Sequence, residues 1–169
     1  MSAPRLMGRA RLFGDDVNTD YIISSTRKRE SLDPDVLRHY LFEGLDPAFA
    51  ASIAPGDVVV AGKNFGCGSA MEVAVTAILG GGIQAVLARS FSRTYYRNAI
   101  NNGLLPLICD TSRIREGDRL QVGGGPDMAV ENCTTGERLT PGALPPIMLN
   151  ILAAGGLVPY MRQHGSFVV

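Results

Sequence analysis

A chain of 169 residues is long enough to bury one core and short for two, so residues 1–169 are read as a single domain. Sixteen basic and sixteen acidic residues cancel, leaving no global field to draw the protein to nucleic acid or an anionic membrane; a charged ligand must be recognised locally. No run of about 18 apolar residues spans a bilayer and Met1-Ser2-Ala3-Pro4-Arg5 lacks the apolar stretch of a secretory signal, so a cytoplasmic protein is expected.

Gly8 to Phe13 reads as a first short strand, and the Asp/Asn/Gly content of Gly14 to Asp20 favours a turn before Ile22 and Ile23 return to the core. Ser24 to Glu30 is a polar, basic loop. Asp33-Pro34 then supplies the cap and first residue of a helix with the apolar stripe Val36, Leu37, Tyr40 and Leu41, closed at Gly44. Val58 to Gly62 reads as a buried strand leading into a glycine-rich turn, and Val73 to Leu79 as a helix closed by three glycines. Gln84 to Ala88 is a further strand, Tyr95 to Asn101 a helix entered through Ser90-Phe91-Ser92-Arg93, and Leu104 to Ile108 another strand. Alternation of this kind predicts an α/β core. Asp118–Val122 and Met128–Glu131, separated by the glycines at 123 to 125, predict a hairpin, and Pro145 to Ala154 a last helix stopped by Gly155-Gly156.

Cys67, Cys109 and Cys133 are odd in number and widely spaced, which fits reduced thiols better than a disulfide framework. With only His39 and His164 beside them, no metal ligand set is expected in this chain.

The most informative stretch is Lys63-Asn64-Phe65-Gly66-Cys67-Gly68-Ser69-Ala70-Met71-Glu72. A strand, a glycine turn and a helix opening at Ser69 place free N–H groups and a hydroxyl together, a setting suited to a carboxylate. Ser69-x-x-Glu72 is equally a capping box, which accounts for both residues without a ligand. Capping does not explain why Gly66 and Gly68 bracket Cys67; glycines so placed point to positive φ or to a close approach.

Four stretches in order carry a resemblance: Gly14 to Ile23, Gly62 to Ser69, Ser90 to Leu104 and Ile151 to Leu157. Together they resemble the small subunit of the isopropylmalate isomerase and homoaconitase group, equivalent to the swivelling domain of aconitase. The resemblance implies a β/β/α layered swivelling fold and a separate large iron–sulfur subunit carrying a [4Fe-4S] cluster, in a heterodimer or heterotetramer. It also implies dehydration and rehydration of a small hydroxy acid of the 2-isopropylmalate to 3-isopropylmalate type, as in leucine biosynthesis. In that pattern Ser69 is the catalytic base, and the backbone of Gly66, Cys67, Gly68 and Ala70 faces a substrate carboxylate. Cys67 itself is read as a small packed side chain, and Lys63 as a solvated turn residue.

One position departs from the pattern. The resembling enzymes continue Gly-Ser-Ser-Arg-Glu and grip a carboxylate with that arginine, whereas Gly68-Ser69-Ala70-Met71-Glu72 offers no charge there. Either the substrate is smaller or apolar at that point, or another cation takes over. Arg27, Lys28 and Arg29 could supply it, as against forming a solvated face or a contact with the large subunit. Arg93 is open between substrate binding and an ion pair with Asp15, Asp16 or Asp20, and Arg97 is read as a structural ion pair. Two alternatives follow: a paralogue for homocitrate or another alkylmalate, and a non-catalytic assembly subunit.

Overall fold

The computed structural model describes residues 5–123 and 128–166. Val58-Val59-Val60, β-branched throughout and stiff at χ1, forms the fully buried strand β2 (Val58–Val60). It pairs in parallel with β1 (Leu6–Leu12) on one side, Ala10 opposite Val58, and with β3 (Ala85–Ala88) on the other; β3 pairs in parallel with β4 (Leu105–Ile108). The first half of β1 has another neighbour: Leu6 to Arg9 run antiparallel to β5 (Arg119–Val122), which is followed by antiparallel β6 (Val130–Asn132) and β7 (Glu137–Leu139). Across the described residues the order is β4-β3-β2-β1-β5-β6-β7, so β1 joins a parallel half to an antiparallel half.

Strand alternation divides the core. Val59, Ala61, Val86 and Ala88 face Ile22, Leu37, Phe42, Phe49 and Ile78 from the helical layer. Val58, Val60, Ala85, Leu87 and Leu107 face Leu120, Val122 and Val130, so the antiparallel half curls over the opposite side. This is the β/β/α layering that the resemblance implies.

The helices are α1 (Thr19–Ile22), α2 (Ser25–Glu30), α3 (Pro34–Leu37), α4 (Phe49–Ser52), α5 (Val73–Gly80), α6 (Arg93–Asn102), α7 (Pro146–Ala153) and α8 (Leu157–His164). Asp33 caps α3 by accepting from Asp35 N, with Pro34 at the first helical position, and Ser92 caps α6 by accepting from Tyr95 N. None is long and apolar enough to cross a membrane.

Several expectations need correction. Ser24 to Glu30 is not a loop: Ser24 accepts from Arg27 N and starts α2, none of whose residues is buried. The helix after Asp33 lasts one turn, tightens into a 3₁₀ turn (Arg38–Tyr40) and leaves at Leu41, short of Gly44. Leu37 and Leu41 are therefore buried while Val36 is exposed. Pro145 to Ala154 does not close the chain; Gly155 and Gly156, at φ of 93° and 131°, redirect it into α8, which buries Tyr160. The β5–β6 hairpin forms in the register Leu120–Asn132 to Val122–Val130; Gly124 and Gly125 of its turn lie outside the described residues.

Candidate active site

Because β1, β2 and β3 are parallel neighbours, the loops leaving their C-terminal ends emerge side by side, where α/β sheets commonly hold ligands. The turn after β2 is stitched to both. From the β1 loop, Thr19 N donates to Cys67 O and Thr19 Oγ1 to Ser69 O, both at 2.8 Å, while Gly66 N donates to Val17 O at 2.8 Å. From the β3 side, Ser92 N donates to Phe65 O at 2.9 Å and Ser92 Oγ to Gly66 O at 2.8 Å, and Ser90 Oγ accepts from Asn64 N at 2.7 Å. Thr19, Ser90 and Ser92 are thus the braces of the turn. Their roles were not visible in the sequence, since the partners lie 50 and 26 residues away.

Both glycines of the turn are explained by this packing. Gly66 has φ +79° and a Cβ there would stand 2.1 Å from Tyr95 Cγ; Gly68 has φ +90° and a Cβ would stand 2.5 Å from Asn18 Nδ2. Tyr95 cannot give way, being buried with its hydroxyl donating to Ala74 O at 3.0 Å. Gly66→Ala is expected to cost about 2–4 kcal/mol, from left-handed strain plus overpacking. Urea unfolding monitored by tyrosine fluorescence measures it; a loss below about 0.5 kcal/mol contradicts the packing described.

Ser69 is exposed, and its Oγ takes part in no hydrogen bond among the described residues. Nor does any backbone N–H from Gly68 to Val73 find an acceptor among them. The capping box is not formed: α5 starts at Val73, its N-cap Glu72 is in helical conformation, and no side chain bonds to the first turn. Thr19 holds the Ser69 carbonyl, which keeps Ser69 out of helical register. The helix therefore does not open at the serine, and it is the free amides around Ser69 that form the electropositive surface. Cys67 is half-buried and Ala70 exposed beside it. Met71 points away from this surface, 5% exposed within the core that contains Ile22, Val73 and Ala74.

Arg27, expected as a substrate cation, is committed elsewhere. Its Nε and a terminal nitrogen meet the two Glu43 oxygens at 3.1 and 3.4 Å, the other nitrogen meets Glu30 at 3.4 Å, and the guanidinium lies 3.9 Å from the Tyr40 ring centroid. Lys28 and Arg29 are exposed on α2 without ion pairs among the described residues. Arg93 is not paired with any of the three aspartates: Asp15 accepts from Lys63 N, Asp16 from Asn64 Nδ2, and Asp20 from the hydroxyl and N–H of Ser25. The Ser25 hydroxyl, then its N–H, hold the Asp20 carboxyl below its ordinary pKa. The structural ion pair expected for Arg97 is also not made among the described residues; the side chain is exposed.

No group of three or more His, Cys, Asp or Glu among the described residues stands close enough to hold a metal. Cys109 is buried, and desolvation with the nearby Asp110 charge pushes its thiol up to about 11, while Cys133 is exposed. The three sulfurs do not fit an iron–sulfur ligand set.

Residues 46–112, which contain β2, the glycine turn, β3 and β4, match the family model of the Aconitase C-terminal domain. The fold and its turn thus define an aconitase-type α/β domain. Over 165 residues the chain is 43% identical to 3-isopropylmalate dehydratase small subunit 2 of Archaeoglobus fulgidus, covering 98% of this chain and 99% of that one. It is 45% identical to the methanogen homoaconitase small subunit of Methanocaldococcus jannaschii, covering 94% and 92%. A crystal structure of 3-isopropylmalate dehydratase from the same organism superposes with a TM-score of 0.91 at 41% identity, covering 96% of both chains. The chain belongs to the 3-isopropylmalate dehydratase small-subunit family.

Proposed function

We propose that this chain is the small subunit of a hydro-lyase that dehydrates and rehydrates a hydroxy dicarboxylate of the isopropylmalate type, and that Ser69 is its base. The observation that carries the reading is an exposed, unbonded hydroxyl in a row of free amides, held rigid by loops from two neighbouring strands. A serine hydroxyl is far too weak an acid to be ionised in water, so it can accept a proton from carbon only where its oxyanion is stabilised in advance. The N–H groups of Ala70 and Met71 are the nearest donors along the chain, and that of Gly68 borders the place of a substrate carboxylate, whereas the Gly66 N–H is committed to Val17 O.

The small-subunit names of the relatives support a large-subunit partner. The sulfur atoms of this chain do not fit the cluster, so in this reading the cluster belongs to that partner and this chain supplies the base and the carboxylate contacts. Reconstitution with the large iron–sulfur subunit tests the reading. The complex is expected to hydrate isopropylmaleate; failure there with turnover of homoaconitate instead favours the homocitrate-type alternative, which the 45% identity to a homoaconitase subunit keeps in view.

A further inference from the structure

We propose that Arg93 grips the second carboxylate of the substrate, an inference that rests on the hydroxy-dicarboxylate reading of the site. The free amides from Gly68 to Val73 can take one carboxylate; the other calls for a forked cation fixed nearby. Met71 cannot serve, being apolar and packed into the core. Arg27 is held by Glu43 and Glu30 and stacked on Tyr40. Lys28 and Arg29 ride on a helix with no buried residue to fix them, and Arg89 lies within electrostatic reach of Asp110. Lys63 is in the turn, but an ammonium group has no fork.

Arg93 differs from all of these in being anchored at the turn while its own charge stays free. It is the first residue of α6 and follows Ser92, whose hydroxyl donates to Gly66 O at 2.8 Å and accepts from Tyr95 N at 3.3 Å. The Tyr95 ring, one turn into the helix, closes on Gly66 itself. The backbone that carries Arg93 is thus tied to the carbonyl of Gly66, three residues from Ser69, and its side chain is exposed without an ion pair among the described residues.

The experiment uses the complex with the large subunit and two ligands: 2-isopropylmalate, and the analogue in which one carboxylate is replaced by a methyl group. Titration calorimetry reads binding, and steady-state rates read KM and kcat separately. Arg93→Gln is expected to weaken 2-isopropylmalate binding and raise KM by about 10- to 100-fold with kcat little changed, and to leave binding of the analogue unaltered. Arg93→Lys is expected to recover part of the loss, and Arg97→Gln, one turn further along α6, to behave as the parent. Equal weakening for both ligands, or no weakening for either, overturns the assignment. The failure is separable from that of the function itself: Ser69→Ala then still abolishes turnover, whereas an active Ser69→Ala complex removes the reading on which Arg93 rests.

Discussion

Ser69→Ala is expected to lower kcat of the reconstituted complex by about 10²- to 10⁴-fold, the usual contribution of a positioned base, with KM and subunit association nearly unchanged. The split follows from geometry. The Ser69 carbonyl, not its hydroxyl, carries the structural bond to Thr19, so the alanine variant keeps the brace and loses only the group aimed outward. Its exposed Oγ has no partner among the described residues, so the change in folding stability is expected within about 0.5 kcal/mol. Single-turnover hydration together with size-exclusion of the complex checks both parts. Unchanged turnover with intact association makes the chain a non-catalytic assembly subunit.

The second large effect lies at the opposite ends of the strands. Asp57, immediately before β2, is 2% exposed and accepts from Arg9 at 3.1 and 2.9 Å, from Arg11 at 3.3 Å and from Ala54 N at 3.0 Å. Arg11 is itself buried, with Glu116 at 2.9 Å and the Phe49 ring centroid 4.6 Å from its guanidinium carbon. Asp57→Ala leaves that guanidinium without its buried counter-charge and is expected to cost about 3–5 kcal/mol in urea unfolding. Burial pushes the Asp57 carboxyl up, but the bonds from Arg9, Ala54 N–H and Arg11 outweigh it and hold the pKa below the ordinary value. A carboxyl depressed in the folded state adds stability that is complete above the unfolded pKa of about 3.9 and is lost as pH falls through the folded value. Wild type should therefore lose more stability than Asp57→Ala on acidification through that window. Parallel pH profiles for the two proteins would remove Asp57 as the acid-sensitive group.

Where local chemistry is sufficient, the sequence was legible. Asp33-Pro34 and Ser92 announce helix starts because their caps act within three residues, and the apolar runs of β2 and β3, and of β4 as far as Leu107, are buried on both faces. The short elements α4 and β7 leave no signal in the sequence, since four- and three-residue segments carry too little periodicity to stand out. Resemblance located the turn, but not its mechanics: Ser69 looked like a cap because Ser-x-x-Glu is a capping pattern, and Thr19, fifty residues earlier, overrides it.

The chain by itself determined the α/β alternation, the glycine turn and the absence of a strong net charge, all properties set by neighbours along the backbone or by composition. Tertiary structure decided which charges remain free. Arg27 looks identical to Arg93 in a sequence, yet Glu43 and Tyr40 neutralise and cover the first while the second stays exposed after Ser92, whose hydroxyl is bonded to the Gly66 carbonyl. The physical reason is that an ion pair or a brace depends on distance in space. Side-chain chemistry can be read from one residue, but its partner is chosen only when strands from distant parts of the chain pair.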